Sequence, residues 1–273
     1  MDPLMIISVI IFTAAIVLVI TGVIDTVIAA FLGVTAMIVF GVMTDLEAFM
    51  VVDWNVIFIL IGIWIIATYL GKTGLPEYVA AKLLAWSGGS VPLFITLIGG
   101  AAGFFSILVD NVVVVLMFAP VLFAVSRKYK FPAFGAILFI GLCSNFMGTA
   151  MLLGDLPPQL LHSVTGIEFG GFIWHSGRPS SFFILTAVYL PVLAFFYFSF
   201  RKKFRGKTME GFDPNADANP AMYIKSPLFA GICCGAFVLT VVAMANSNSP
   251  LAVTVAPRML LTASKYIGSA SNA

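Results

Sequence analysis

The sequence predicts an all-α polytopic membrane protein, and three observations carry that expectation. Of its 273 residues, 61% are hydrophobic and 10% charged, with a mean hydropathy of +1.09, whereas soluble domains average roughly 45–50% apolar and about 25% charged residues. The apolar residues gather into runs close to the roughly 17–25 residues a helix needs to cross a bilayer. Two of the runs are broken by polar residues: Ser106-Ile-Leu-Val-Asp-Asn-Val-Val-Val-Val115 and Ser144-Asn-Phe-Met-Gly-Thr-Ala-Met-Leu-Leu-Gly-Asp-Leu-Pro-Pro158. Carboxylates, amides and irregular backbone are costly in hydrocarbon unless protein or a water-filled cavity covers them, so these breaks read as a site for ions.

In chain order, Leu4 to Ile20, Thr26 to Met43 and Trp54 to Leu70 read as the first three spans. The segment before Leu4 lacks the basic stretch and cleavage pattern of a signal peptide, so the first run is expected to be a retained helix. Asp25 and glycines separate the first two spans, Thr44-Asp-Leu-Glu47 ends the second, and Gly71-Lys-Thr-Gly-Leu-Pro76 stops the third. Leu75 to Trp86 mixes charged and aromatic residues with Val79, Leu83 and Leu84 and suits a short interfacial helix. Val91 to Val125 follows, broken at Asp110-Asn111, then Ala133 to Leu153, Ser181 to Phe200 and Pro227 to Ala245. The expected total is about six to seven transmembrane helices plus a re-entrant helical hairpin. No short-period repeat is visible.

Lysine and arginine mark the cytoplasmic side of membrane proteins. If 91–125 enters and leaves by one side, then before the tail Lys72, Lys82, Arg127, Lys128, Lys130, Arg201, Lys202, Lys203, Arg205, Lys207 and Lys225 share a face, against Arg178 alone on the other. That face is expected to be cytoplasmic and the amino terminus outside, in a plasma or inner membrane. The same parity holds for a re-entrant hairpin and for two full crossings. The net charge of +2 comes from short clusters beside apolar runs, which does not suggest nucleic-acid binding. Cys143, Cys233 and Cys234 lie in apolar runs, so neither a disulfide framework nor a metal-ligand spacing is indicated.

The segment Ile107-Leu-Val-Asp-Asn-Val-Val-Val-Val-Leu-Met-Phe-Ala-Pro120 precedes Gly148-Thr-Ala-Met-Leu-Leu-Gly-Asp-Leu-Pro-Pro-Gln159, which precedes Gly166-Ile-Glu-Phe-Gly-Gly-Phe-Ile-Trp-His-Ser-Gly-Arg-Pro179. In that order the three resemble the ion transporter superfamily. Its members include citrate and dicarboxylate carriers, arsenite permeases, the melanosomal P protein and one class of sodium/proton antiporters. The resemblance covers roughly Val51 to Lys203. It implies that 91–125 is a re-entrant hairpin with Asp110 and Asn111 at its tip, and that 133–158 is a broken helix beside it. Together these would line half of a sodium and substrate site. Gly148, Thr149, Gly154, Asp155, Pro157 and Pro158 match the family's second motif. Three positions depart from the pattern: Val112 to Val115 replace the usual hydroxyl residues, Leu156 is an extra residue before the prolines, and Gln159 stands where asparagine is usual.

Read from the residues alone, Asp110, Asn111, Ser144, Asn145 and Thr149 offer side-chain oxygens at the two breaks, and Gly148 and Gly154 permit close approach. Asp155 completes the candidate set. Freed carbonyls at a helix break can coordinate sodium, and helix amino-terminal N–H groups can hold an anion. Asparagine, serine, threonine and glycine also serve simply as packing contacts in membrane helices, which competes equally for Ser106, Ser144 and Thr149. For Asp155 the competitor is a solvated turn. His162, Glu168 and His175 do not fall on one helical face, which argues against a metal centre. Arg178 suits the outer headgroup region, where a snorkelling arginine competes with an anion contact at the mouth. Trp54, Trp86 and Trp174 fit as interface anchors. Arg201 to Lys207 fits a positive stop signal with secondary contact to anionic lipid.

The function expected is secondary active transport of a small inorganic or organic ion, coupled to sodium or protons, without a cofactor and without enzymatic activity. A non-transporting membrane subunit or scaffold is the alternative. An intramembrane aspartyl protease would require Asp110 and Asp155 to share a proton across adjacent helices. The expected organisation is a transporter repeat over 1–200, a basic and polar cytoplasmic linker over 201–226, the first span of a second half over 227–245, and an atypical or truncated polar tail over 246–273. One half of an inverted-repeat carrier is thus expected, with the lipid bilayer and either a homodimer or a second-half chain as partners. Copies with the same charge bias insert the same way round, so a homodimer alone would not supply the inverted half.

Overall fold

Long apolar runs without internal turn residues have one economical solution in hydrocarbon: helices that satisfy their own backbone. The computed structural model describes residues 3–52, 54–204, 207–213, 223–224 and 227–245, and these form twelve helices and one two-stranded ribbon. The expected tail 246–273 and most of 214–226 lie outside the described residues. The chain divides into two units, residues 1–54 and 55–273.

The first unit holds α1 (Pro3–Thr21), α2 (Thr26–Val39) and α3 (Asp45–Met50). The Asp25 carboxylate caps α2 by accepting from the Val27 amide at 2.9 Å. Gly33 keeps the α1 and α2 backbones close, since a methyl group there would sit 3.1 Å from the Ala15 side chain. The span expected over Thr26 to Met43 closes early, at Val39, where Gly41 takes a left-handed φ of 70°. Thr44-Asp-Leu-Glu47 does more than end that helix. It opens α3 through a capping box: the Glu47 amide donates to Thr44 Oγ1 at 3.2 Å, and the Thr44 amide donates to Glu47 Oε2 at 2.8 Å.

In the second unit, α4 (Trp54–Lys72) leads through Gly74, left-handed at φ 84°, into α5 (Leu75–Trp86). The α5 limits coincide with the short helix read from the sequence. Its setting differs from a helix lying free in the interface, because Pro76, Ala80, Ala81, Leu83 and Leu84 are buried. Next come α6 (Val91–Ser106) and α7 (Asn111–Lys128), joined by four residues as a helical hairpin, and α8 (Phe134–Gly148).

The core forms where α6, α8 and α11 (Ser181–Lys203) meet. Small residues on α6 make this approach feasible, as is general between membrane helices. A methyl group on Gly99 would fall on the Phe139 ring, and one on Gly103 on the Tyr189 hydroxyl. Phe139 packs against Phe196 and Phe200 with ring centroids 4.8 and 5.1 Å away. Tyr189 donates its buried hydroxyl to the Gly99 carbonyl at 2.9 Å and stacks on Phe146, 6.0 Å between centroids.

After α8 the expected broken helix 133–158 needs revision. The first half stops at Gly148, residues 149–155 are irregular, and the second half is α9 (Leu156–Thr165), which runs a full seven residues past Pro158. Prolines in a first helical turn start a helix, since the missing N–H groups would be unpaired there anyway. The stretch after Gly166 contains α10 (Phe169–Ile173) and a ribbon pairing β1 (Trp174–His175) with β2 (Arg178–Pro179). Ser176 and Gly177 are both left-handed, φ 51° and 75°, as a tight two-residue hairpin turn requires. The chain then forms α11 and, after the linker, α12 (Pro227–Ala245).

The segment after Lys203 is more than a hydrophilic spacer. Thr208 bridges to Ser90, the Met209 amide donates to Gly89 at 2.7 Å, and the Val91 amide donates to Lys207 at 3.2 Å. Lys207 Nζ donates to the Lys130 carbonyl at 3.1 Å, and Phe212 packs edge-on to Tyr129 at 6.1 Å. The start of α6 and the end of α7 are therefore tied to one strap, so both ends of the hairpin lie together.

Tyr189→Phe should cost about 1 kcal/mol, the usual net value of one hydrogen bond, read as a lower midpoint of thermal unfolding in detergent. A value indistinguishable from zero would mean the phenol does not hold α11 to α6. Hydrogen bonds from the Thr44 backbone and then its hydroxyl hold the Glu47 carboxyl below the usual glutamate range. This stabilisation is complete above the ordinary glutamate pKa and is lost as pH falls through the depressed folded value. The protection of the Thr44 amide against hydrogen exchange, corrected for the intrinsic pH dependence of exchange, should fall as pH drops through that acidic window and stay constant there in Glu47→Gln.

Candidate functional site

The two breaks meet. Helix α6 ends at Ser106 and α7 begins at Asn111; α8 ends at Gly148 and α9 begins at Leu156. Each irregular segment lies between a carboxyl-terminal helix end, rich in unpaired carbonyls, and an amino-terminal end, rich in unpaired N–H groups. Gly154 lets them touch: a methyl group there would fall on the Gly148 and Ser106 carbonyl oxygens. Gly148 plays the same part from the other side, with Ser106 Oγ 3.1 Å and Asp155 Cβ 3.4 Å from where its methyl would be.

Asn111 joins the halves chemically. Its Nδ2 donates to Asn145 Oδ1 at 2.9 Å and to Asp155 Oδ2 at 2.9 Å, across 34 and 44 residues of sequence. Asp110, 5% exposed, is the amino-terminal cap of α7, with Oδ1 accepting from the Val112 amide at 3.0 Å and the Val113 amide at 3.3 Å. Asp155 caps α9, with Oδ1 accepting from the Leu156 amide at 2.8 Å. A carboxylate at a helix amino terminus is stabilised both by these bonds and by the helix dipole. That offsets part of the roughly 2.5–3.5 kcal/mol cost of a charge in mid-membrane.

These caps change what the helix ends can do. At α7, the Val112 and Val113 amides face an aspartate of the chain itself. At α9, Pro157 and Pro158 have no N–H, and the Leu156 amide is held by Asp155. The sequence reading that such ends could cradle an anion is thus replaced, at these amides, by internal carboxylates. The site gathers acceptors: two carboxylates, the Asn side-chain oxygens and the carbonyls at Ser106 and Gly148. Hard cations take oxygen ligands of this kind.

Of the predicted residues, Asp110, Asn111, Asn145, Gly148, Gly154 and Asp155 converge at this crossing. Ser144 and Thr149 are adjacent but turn their hydroxyls to their own helix, donating to the Gly141 carbonyl at 3.1 Å and the Phe146 carbonyl at 2.9 Å. Val114, at one of the positions that usually carries a hydroxyl, is buried in the apolar core. Ser106, for which the sequence left packing and a site role in balance, heads the first broken motif; its hydroxyl is fully buried with no hydrogen-bond partner among the described residues. His162 Nδ1 lies 2.7 Å from the Ile167 carbonyl. Among the described residues, no three His, Cys, Asp or Glu side chains gather as a metal site would require.

The fold and this crossing of broken helices fit a family. The family model described as citrate transporter matches residues 16–272, and the chain belongs to that family. It is 32% identical over 174 residues to an uncharacterized transporter of Mycobacterium bovis, covering 62% of this chain and 41% of that protein. It is 36% identical over 124 residues to a 46 kDa membrane protein of Mycobacterium leprae, covering 45% of this chain and 29% of the relative. The P protein of Sus scrofa is 26% identical over 153 residues, 54% of this chain and 18% of that protein. These relatives agree with the superfamily resemblance read from the motifs. The chain thus spans less than half the length of the relatives it matches. Family membership and the apolar helices define an integral membrane protein, with α1, α7 and α11 long and apolar enough to cross a bilayer.

Gly154→Ala should force the two breaks apart, because its methyl would meet backbone rather than a movable side chain. The expected readout is a lower unfolding midpoint together with loss of a disulfide engineered between positions 111 and 145. An unchanged midpoint and intact cross-linking would show that the backbone contact is not as close as described.

Proposed function

We propose that the protein is a secondary active carrier that moves a small ion or anion across the membrane by alternating access, coupled to a cation, sodium or a proton. The observation that carries this is the Asn111 amide bridging Asn145 and Asp155. A polar bridge between two broken helices is costly in hydrocarbon unless it serves a solvated path, and secondary carriers place their sites at such breaks. The family match supports transport, and the acceptor-rich crossing supports a cation at this half of the site. Alternating access also needs an opposing element for these helices to rock against. A second-half chain of inverted orientation would supply one; a homodimer alone would not, because copies with the same charge bias insert the same way round.

The strap tying Ser90 and Lys130 to 207–209 supports a hairpin whose two ends share the basic side, taken here as cytoplasmic with the amino terminus outside. The reading is non-enzymatic. Asp110 and Asp155 each cap their own helix, and no hydrogen bond joins the two carboxylates among the described residues, which disfavours a proton-sharing protease pair.

The test is uptake of labelled anions into proteoliposomes under imposed sodium or proton gradients. Hydrogen bonds involving a charged group contribute roughly 1.5–3 kcal/mol, so Asn111→Ala should reduce gradient-driven uptake by at least about tenfold while membrane insertion is unchanged. Uptake equal to wild type in Asn111→Ala would remove the crossing from the mechanism. Absence of any gradient-driven uptake, with stable retention of another membrane protein on purification, would favour the scaffold reading.

A further inference from the structure

Away from the crossing, positive charge gathers around one turn. Residues 126–136 carry three lysines and arginines and residues 199–209 carry five, with no aspartate or glutamate in either stretch. The fold brings these stretches together: α7 ends at Lys128, α8 begins at Phe134 and α11 ends at Lys203. Cations at carboxyl-terminal helix ends complement the helix dipole, which accounts for Arg127, Lys128 and Arg201 to Lys203 taken singly. It does not account for their convergence.

Two ammonium groups reach the α7–α8 turn from different elements. Lys207, on the strap, donates from Nζ to the Lys130 carbonyl at 3.1 Å, and Lys203, on α11, places its Nζ 3.7 Å from where a methyl group on Gly135 would stand. Lys130 adds a third exposed cation and holds a left-handed φ of 52°. A residue with a side chain adopts that conformation at a cost its surroundings must offset, and such residues cluster at functional sites. Like charges held around one turn repel each other, and the strap's acids, Glu210 and Asp213, come only after these cations in the chain. Beside them Phe134 is 82% exposed. An aromatic ring standing clear of the protein next to a ring of cations suits the margin of a bilayer.

We propose that the α7–α8 turn, with Lys203 and Lys207, binds the headgroup of an anionic phospholipid, and that the bound lipid fastens the strap over the base of the hairpin. The phosphate accepts from Lys203 and from the N–H groups of Lys207 that the Lys130 carbonyl leaves open, while Phe134 enters the acyl region. Charge selects an anionic lipid over a zwitterionic one, each lysine near such a headgroup being worth about fivefold in affinity. The apolar ring selects a membrane lipid over a soluble phosphate ester. Lys207 connects the site to the hairpin, because its carbonyl accepts from the Val91 amide at the start of α6, and the Met209 amide two residues on donates to Gly89. A headgroup held by Lys207 thus restrains the segment that joins the two ends of the hairpin. The site is independent of which solute the protein moves.

The experiment reconstitutes the full chain in nanodiscs of phosphatidylcholine, with or without phosphatidylglycerol, and follows hydrogen exchange at the Met209 amide. Exchange in wild type should be at least about fivefold slower with phosphatidylglycerol, the gain expected from one lysine contact. The informative variant is Lys203→Gln, whose side chain lies against α8 and not on the strap. It should match wild type in phosphatidylcholine and lose most of the extra protection, whereas Lys72→Gln, which removes a charge elsewhere, should keep it. Lipid contact is read directly from the quenching of Phe134→Trp fluorescence, which brominated phosphatidylglycerol should achieve at a mole fraction at least about threefold lower than brominated phosphatidylcholine. The proposal is overturned if wild-type exchange is the same in both membranes, if Lys203→Gln keeps the full protection, if Lys72→Gln abolishes it, or if the two brominated lipids quench alike. Equal protection by soluble glycerol phosphate in phosphatidylcholine discs would also overturn it, by making a free phosphate ester the ligand.

Discussion

The arrangement depends on one carboxamide. Asn111 stands on the first residue of α7 and donates both ways, to Asn145 on the end of α8 and to Asp155 at the head of α9. Each of those groups alone would be an expense in an apolar bundle. Joined, they form a polar crossing in which a donor meets two acceptors and a carboxylate is shared between a side-chain amide and a helix amino terminus. The low dielectric that penalises unpaired groups strengthens paired ones, so the network holds its geometry firmly while remaining dependent on every member.

The surrounding structure positions that crossing. Gly99 and Gly103 let α6 approach α8 and α11, where Phe139 and Tyr189 fill the interface. Gly148 and Gly154 let the irregular segments touch carbonyl to backbone. At the other end, the strap over 207–213 ties the hairpin's two ends, so α6 and α7 are fixed both at their bases and at their tip. Apolar side chains outside the core, among them Phe104, Leu116 and Phe134, are exposed, a surface that a bilayer would cover.

The chemistry at the crossing follows from which helix ends are already occupied. With aspartates on the α7 and α9 amides, the half-site is rich in acceptors and poor in free donors.

The sequence by itself determined the membrane class, most helix positions and the location of both breaks, because these follow from hydropathy runs and from residues that are costly in hydrocarbon wherever they fold. The α5 helix emerged with the limits its composition indicates, and Asp110 was legible as a carboxylate that must be covered. Tertiary structure alone decided what the breaks do to each other. The bridge from Asn111 joins residues 34 and 44 positions away, a pairing no local pattern encodes. The hydroxyls of Ser144 and Thr149 turned to their own helix rather than to the site, since an i−3 carbonyl is always within their reach. The strap from the polar linker depended on backbone groups whose partners at Gly89, Val91 and Lys130 are supplied only when the helices are assembled.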